Sequence, residues 1–224
     1  MTRDGRRLQG IYRRLLACYG PQHWWPAETP FEVMVGAVLT QNTAWLNVER
    51  AIDNLRRADL LSPEAIAALP PARLARHLRP AGYFNVKAKR LRALCLWLRE
   101  QGDLRHLETE SLRERLLEVH GVGPETADDI LLYAFARPVF VIDAYTRRLF
   151  GRLGYLDPGL PYERLRRGFE RALGAEVALF NEYHALIVVH AKESCRPRPR
   201  CENCCLGRVC AFSNPGLSPS PLKI

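Results

Sequence analysis

The fold is decided by residues 112–145, LRERLLEVHGVGPETADDILLYAFARPVFVIDAY. Apolar side chains recur at spacings of four and three in its first part, at Leu112, Leu116 and Val119. This spacing predicts an amphipathic helix. The segment 120–123, His-Gly-Val-Gly, ends that helix, and Pro124 suits the first position of a second helix because its missing N–H costs little there. The stretch therefore predicts two helices joined by a tight glycine turn.

The glycine turn and the acid that follows it are the chemically informative parts of this stretch. Gly121 and Gly123 can adopt backbone angles that other residues resist, and they let the backbone of another molecule approach closely. Unpaired amides where such a turn opens a helix form a site for an anion. The apolar run 138–142 then leads to one carboxylate, Asp143, which packing can hold in a reproducible position. Gly-Val-Gly alone is also compatible with an ordinary helix–helix connection.

The length, apolar content and net charge of the chain limit the kinds of protein it can be. A chain of 224 residues is long enough for one large domain or two small ones, and its 47% apolar content supports a core. Lys and Arg number 33 against 24 for Asp and Glu, so the formal charge is +9. This excess favours an anionic partner, with nucleic acid the leading candidate. The sign of the charge does not separate DNA from RNA or from an acidic protein.

The chain also lacks the patterns of membrane and secreted proteins. No uninterrupted apolar run approaches the length that spans a membrane. The N-terminal sequence MTRDGRRLQG has no apolar core of the kind found in signal peptides. We therefore expect a soluble, cytoplasmic and monomeric protein.

Five of the seven cysteines lie between residues 195 and 210, which indicates a metal or cluster site rather than a disulfide framework. Four of them follow the spacing C-x5-C-x2-C-x5-C: Cys195, Cys201, Cys204 and Cys210. Four thiolates this close fit one [4Fe–4S] cluster. Structural zinc is the main alternative, but four-cysteine zinc sites usually pair two short knuckles and only one is present. Disulfides are a third possibility, and Cys205 could compete as a ligand.

Two further segments combine aromatic side chains with polar or basic ones. Trp24 and Trp25 are adjacent in a turn-rich segment before Pro26; they could plug a seam between lobes or form the face on which a flipped-out base stacks. Residues 81–90, AGYFNVKAKR, join a glycine turn, two aromatics and three cations. That combination suits phosphate contact and a wedge into the base stack, with a solvated helix start as the alternative. Residues 41–43, Gln-Asn-Thr, lie at a predicted helix junction, where capping is the simplest role.

Taken together, these segments resemble the endonuclease III-like, helix-hairpin-helix (HhH-GPD) superfamily of DNA glycosylases. The resemblance covers about residues 28–210, with the glutamine segment, hairpin, aspartate and cysteines in the family's order. It implies an all-α, two-lobed fold with DNA across the cleft and one nucleotide rotated out. The implied lobes are a six-helix lobe at 28–135, which contains the hairpin, and an iron–sulfur lobe at 1–27 and 136–212. The Pro/Ser-rich tail, 213–224, is expected to be disordered.

The resemblance also implies roles for individual residues. Asp143 would be the catalytic aspartate, and the four spaced cysteines would hold the cluster, although the family's first gap is usually one residue longer. Gln41 would fill the gap left by the flipped nucleotide, and Tyr83 would be the wedge. The other residues implied to contact DNA are Asn85, Lys87, Gly121, Val122 and Gly123. The residues implied to line the base pocket are Trp24, Trp25, Pro26, Trp45, Glu125 and Tyr145.

One departure from the family pattern concerns the chemistry. Bifunctional members carry a lysine within Gly-Val-Gly-x-Lys, whereas this chain has Glu125, and a Schiff base requires an amine. We therefore predict a monofunctional glycosylase in which Asp143 orients or deprotonates water and stabilises the positive charge on the sugar. The pocket residues resemble the 3-methyladenine glycosylase branch, and cationic alkylated purines are attracted to aromatic faces. That branch often lacks the cysteine cluster.

Three other functions stay open from the sequence. One is a mismatch-specific thymine or uracil glycosylase of the same fold. Another is an oxidised-pyrimidine glycosylase with lyase activity through a different amine, for which Lys192 has no supporting motif. The third is a non-catalytic iron–sulfur module that only binds DNA.

Overall fold

A computed structural model describes residues 2–223, and within this range the chain forms helices and loops without strands. In chain order the α-helices are α1 (Arg3–Tyr19), α2 (Pro30–Leu39), α3 (Trp45–Arg57), α4 (Pro63–Ala68), α5 (Pro71–His77), α6 (Phe84–Glu100), α7 (Thr109–Leu117), α8 (Pro124–Asp129), α9 (Ala144–Arg152), α10 (Tyr162–Leu173) and α11 (Val177–Glu193). The predicted all-α class is confirmed. Among these helices we find none with the length and apolar character needed to cross a membrane.

The chain divides into two compact units. Trp25–Arg137 forms the first, called the hairpin unit here, and Met1–Trp24 with Pro138–Ile224 forms the second, called the terminal unit. The predicted lobe at 28–135 falls within the hairpin unit. Met1 and Ile224, which end the predicted terminal segments, lie outside the described residues.

Helix α2 is the centre of the hairpin unit. Every residue from 32 to 39 is buried, so the helix is enclosed on all sides. It packs against α3, α6, α8 and the π-helical turn Ile130–Ala134 that continues α8. Its start is fixed by Thr29, whose hydroxyl accepts a hydrogen bond from the Glu32 N–H at 3.1 Å, and by Pro30 at the first position.

The predicted pair of helices around the glycine turn is present as α7 and α8. Gly121 has a φ of +88°, a left-handed conformation that favours glycine. The Val122 N–H donates to the Val119 carbonyl at 3.0 Å, and both side chains are only 6% exposed. Apolar anchoring on each side of the turn therefore fixes the path of the backbone.

An ion pair with little solvent contact joins α7 to α8. Arg113 Nε and Nη2 donate to Asp128 Oδ1 and Oδ2 at 2.6 and 3.3 Å. The two side chains are 6% and 0% exposed. Each partner offsets part of the cost of removing the other from water, so loss of either charge is destabilising.

The terminal unit is built around aromatic rings. Phe140 stacks on Phe169 with ring centroids 4.7 Å apart, and Phe150 meets Phe169 edge-on at 4.9 Å. Tyr183, from α11, donates its hydroxyl to the Leu8 carbonyl of α1 at 2.7 Å. The run 138–142 forms no strand; the Phe140 N–H donates to Glu170 Oε1 at 3.0 Å.

The end of the chain differs from the prediction of a disordered tail. Leu222 is 6% exposed, and its N–H donates to the Tyr155 carbonyl at 2.7 Å. The Lys223 N–H donates to Asp4 Oδ2 at 2.9 Å, which ties the tail to the start of α1. Composition alone suggested disorder, but one apolar side chain near the terminus provides an anchor in the core.

We expect Asp128→Asn to lower the free energy of unfolding by about 3 kcal/mol, because it removes the carboxylate charge that pairs with the buried Arg113 guanidinium. Urea titration followed by circular dichroism measures the change. Asp53→Asn is the matched control, because Asp53 pairs with Arg56 while 49% exposed and should change stability by less than about 0.5 kcal/mol. Equal effects of the two substitutions would contradict the role given to the buried pair.

Candidate active site

Asp143 is held by the helix that follows it. As the N-cap of α9, it accepts a hydrogen bond from the Thr146 N–H to Oδ1 at 2.7 Å. Its other oxygen, Oδ2, lies 3.6 Å from Nε2 of His184 on α11. The apolar residues before it, 139–142, are at most 1% exposed, whereas Asp143 keeps 8% of its surface exposed. The carboxylate is therefore fixed by packing and capping while one edge still reaches solvent.

The surroundings of Asp143 keep its carboxyl group ionised. Burial raises its pKa, but the nearby His184 imidazole and the hydrogen bond from the Thr146 N–H outweigh that effect. The pKa therefore lies below the usual value of 3.8, and the group is a carboxylate at neutral pH. Such a carboxylate can accept a proton from water or stabilise a nearby positive charge. No sequence motif links His184 to Asp143, which lies 41 residues earlier in the chain.

Three aromatic side chains of the hairpin unit form a cluster, which we call the aromatic cluster: Trp25, Trp45 and Tyr133. Trp25 meets Trp45 edge-on with centroids 5.2 Å apart, and it meets Tyr133 at 5.0 Å with a tilt of 58°. All three rings are partly exposed. A Cβ at residue 36 would lie 3.0 Å from Trp25 Cζ2, so Gly36 makes room for the indole on α2. Trp45 Nε1 donates to Glu49 Oε1 at 2.8 Å, which orients the second indole.

The other residues predicted for the base pocket have different surroundings. Trp24 belongs to the terminal unit, where Lys192 Nζ lies 5.9 Å from its ring centroid. Tyr145 lies under the Arg148 guanidinium at 5.1 Å. Two further predicted residues, Pro26 and Glu125, are exposed in the hairpin unit. Tyr133 was not predicted, because an aromatic residue at helical spacing reads as core and the π-helical turn that carries it has no sequence signature.

Gln41 is bonded to the hairpin in this structure. Its Nε2 donates to the Gly121 carbonyl at 3.2 Å and to the Thr126 hydroxyl at 2.9 Å. Its Oε1 accepts from Nη1 of Arg90. The side chain predicted to fill a gap in DNA therefore connects the end of α2 with the glycine turn and with α6.

The predicted wedge segment divides into exposed and buried parts. Tyr83 is 72% exposed and has a φ of +44°, a left-handed angle, at the N-cap of α6, and Asn85 is exposed beside it. Lys87 is 1% exposed and donates to the carbonyls of Leu39 and Ala81 at 2.9 and 2.7 Å. The predicted DNA contact through Lys87 is not compatible with this burial; the side chain joins α6 to the end of α2 instead.

The two hairpin glycines have different neighbours. A Cβ at residue 121 would lie 2.1 Å from Arg90 Cγ, so a protein side chain occupies that space. A Cβ at residue 123 would meet no atom within 4 Å. Only Gly123, which is exposed, therefore leaves room for the backbone of another molecule; Val122 is buried between them.

The four cysteines predicted as cluster ligands line one cavity in the terminal unit, together with Arg152 and His190. Arg152 Nη1 lies 3.3 Å from Cys195 Sγ, and His190 Nε2 lies 3.7 Å from Cys204 Sγ. Four thiols with cationic and imidazole N–H neighbours fit the donor set of a [4Fe–4S] cluster. Within residues 2–223, no three His, Cys, Asp or Glu side chains are already arranged to hold a metal ion. Cys205, the adjacent thiol, lies 4.0 Å from His190 Nδ1.

The sequence is similar to those of known DNA repair proteins. Residues 35–174 match the family described as HhH-GPD superfamily base excision DNA repair protein. A Methanocaldococcus jannaschii protein, named provisionally as a DNA repair glycosylase, is 47% identical over 89% of this chain and 94% of its own.

Solved structures give the same result. The 3-methyladenine DNA glycosylase MagIII of Helicobacter pylori, bound to 1,N6-ethenoadenine, is 31% identical with a TM-score of 0.71, covering 85% of this chain and 97% of that one. A trapped endonuclease III–DNA covalent intermediate shares the fold at 21% identity and a TM-score of 0.81, covering 96% and 98%. The chain belongs to the HhH-GPD superfamily of base excision DNA repair proteins and is an endonuclease III-like DNA glycosylase.

Proposed function

We propose that this glycosylase removes an alkylated purine, such as 3-methyladenine, and that it does so by hydrolysis without lyase activity. The observation that carries the proposal is the aromatic cluster of the hairpin unit, in which two indoles and a phenol are partly exposed. Similarity to a 3-methyladenine glycosylase over most of both chains supports the same substrate class.

The aromatic cluster suits a cationic base for an electrostatic reason. Alkylation at a purine ring nitrogen leaves the nucleoside base positively charged, and aromatic faces attract cations by about 0.5–2 kcal/mol for each contact. Uracil and thymine carry no such charge and lose this contribution. The Glu49 carboxylate, bonded to Trp45 Nε1, adds negative charge next to one indole.

Asp143 supplies the carboxylate for hydrolysis. As the bond between the base and C1′ breaks, positive charge develops on the sugar, and an ionised carboxylate stabilises it. The same group can take a proton from the water that attacks C1′. A cationic purine leaves as a neutral base, so no general acid is needed for its departure. The lowered pKa of Asp143 keeps the group charged, which favours stabilisation of the sugar cation.

Position 125 is the reason for proposing hydrolysis without strand cleavage. Glu125 lies exposed in the first turn of α8, where the resemblance implies a lysine in the bifunctional members. A carboxylate cannot form the Schiff base on which lyase chemistry depends. Lys192 is the alternative amine, and its ammonium lies near the Trp24 ring in the terminal unit.

We further infer that Cys195, Cys201, Cys204 and Cys210 hold a [4Fe–4S] cluster. The four side chains line one cavity, and Arg152 donates toward the sulfur of Cys195. When bound, the cluster would supply a covalent cross-link that organises the loop after α11. No step of base removal requires its redox chemistry.

The substrate is tested by incubating the purified protein with methylated duplex DNA and separating the released bases by chromatography. Duplexes carrying uracil, a thymine mismatch or an oxidised pyrimidine form parallel arms. The proposal requires release of 3-methyladenine at a higher kcat/KM than any of these bases. Faster release of uracil or mismatched thymine would establish the alternative of a mismatch glycosylase.

Asp143→Asn is expected to reduce base release by about a hundredfold or more, because the charge that stabilises the sugar is lost. Asparagine is also a good N-cap, so α9 should keep its start and DNA binding should persist. Single-turnover kinetics and a gel-shift assay measure the two properties. Asp157→Asn, an exposed acid of the same unit, is the control and should leave the rate unchanged. Full activity of Asp143→Asn would exclude Asp143 as the active carboxylate.

His184→Gln should move the acidic limb of the pH–rate profile to higher pH. His184 lowers the pKa of Asp143, so its removal raises that pKa and the carboxylate is lost at a higher pH as the solution is acidified. The measurement is kcat/KM for base release across the acidic range. A uniform loss of rate at every pH would show that His184 contributes only to packing.

Borohydride should trap no covalent protein–DNA adduct during the reaction, since the hairpin offers no amine. Endonuclease III, which forms a trapped covalent intermediate with DNA, serves as the positive control. An adduct that disappears in Lys192→Gln would overturn the assignment of simple hydrolysis and identify Lys192 as the nucleophile.

A further inference from the structure

Arg90 is placed beside the glycine turn by the absence of a side chain at residue 121. A Cβ there would lie 2.1 Å from Arg90 Cγ and 2.7 Å from Cδ, so the aliphatic part of Arg90 fills that space. Gly121 also needs its left-handed φ of +88° to form the turn. The same glycine thus shapes the hairpin and holds a cationic side chain against it.

The guanidinium of Arg90 is bound to a neutral partner. Nη1 donates to the side-chain carbonyl oxygen of Gln41, and no carboxylate in the described part of the chain forms an ion pair with Arg90. The residue is half-buried. An amide oxygen is a weaker acceptor for a guanidinium than an anionic phosphate, which can accept two parallel hydrogen bonds. The present partner of Arg90 can therefore be displaced by a phosphate.

The hydrogen bonds of Gln41 in this structure are incompatible with the role that the resemblance implies for it. Its Nε2 is bonded to the Gly121 carbonyl and the Thr126 hydroxyl, so the amide spans the hairpin while DNA is absent. The resemblance implies that this side chain enters the gap left by the flipped nucleotide. Moving there breaks all three bonds and leaves the Arg90 guanidinium without the Gln41 oxygen.

We propose that Arg90 binds a backbone phosphate of DNA next to the hairpin and that Gln41 masks this guanidinium until DNA is engaged. The guanidinium then exchanges an amide oxygen for a phosphate oxygen as Gln41 moves. This exchange offsets the bonds that Gln41 loses, and it links a phosphate contact to insertion of the side chain. The proposal rests on DNA binding by this glycosylase and not on which base is released.

The phosphate contact is tested with Arg90→Met, which keeps an aliphatic stem beside Gly121 but removes the charge. Affinity for a duplex with a tetrahydrofuran abasic-site analogue, which offers a gap for Gln41 but no base to release, is measured by fluorescence anisotropy at several salt concentrations. Each phosphate contact contributes about 0.9 to the slope of log K against log salt, so the slope should fall by about one. Arg57→Met, which removes an exposed charge at the end of α3, is the matched control and should leave the slope unchanged.

The mask is tested with Gln41→Ala in two backgrounds. In the wild-type background this change should tighten binding to undamaged duplex severalfold, because Arg90 is released from its amide partner. In the Arg90→Met background it should have no such effect. Thr126→Val, which removes one bond to Gln41 without touching Arg90, controls for loosening of the hairpin and should not tighten binding. Thermal unfolding establishes that each variant is folded.

Two results would overturn the proposal. An unchanged salt slope in a folded Arg90→Met variant would show that Arg90 contacts no phosphate. Equal weakening by Gln41→Ala in both backgrounds would show that Gln41 only supports the hairpin. Because neither duplex contains a damaged base, either result leaves the assignment of the alkylated-purine substrate untouched.

Discussion

The arrangement of the terminal unit depends on keeping one carboxylate ionised where little water reaches it. Burial disfavours the charge on Asp143, and a backbone N–H at the start of α9 and an imidazole from α11 stabilise that charge. Both partners come from helices that meet in the aromatic core, where Phe150 of α9 contacts Tyr183 of α11. The packing and helix capping that build the unit therefore also set the acidity of the Asp143 carboxyl group.

In the hairpin unit, the main constraint is to leave the backbone of the glycine turn accessible. Gly123 leaves open space beside the backbone, whereas the space beside Gly121 is occupied by the Arg90 side chain. Gln41 then ties the turn to α2 and α6 through three hydrogen bonds. A motif that reads as flexible in sequence is thus held firmly by neighbours that lie far from it along the chain.

Local patterns carried most of what could be predicted. The helical class, the turn at residues 121–123 and the aspartate after an apolar run follow from spacing and from residue type. Contacts between distant segments could not be predicted in this way. The partnership of Asp143 with His184, the place of Tyr133 beside Trp25 and the burial of Lys87 each depend on tertiary packing. Lys87 shows the difficulty most clearly, because a lysine in a basic segment is usually solvated, and here the carbonyls of Leu39 and Ala81 accept its hydrogen bonds and make its burial tolerable.

The contact between the Trp25 indole and Gly36 has a consequence for the whole aromatic cluster. The ring rests against the bare backbone of Gly36, at a distance where even a methyl group would push it aside. A substitution at position 36 would therefore change the geometry of the aromatic cluster. It would shift the Trp25 indole relative to Trp45 and Tyr133 without replacing any of the three aromatic residues. The geometry of the aromatic cluster thus depends on a residue inside α2 that has no side chain, and a comparison restricted to the aromatic side chains would overlook it.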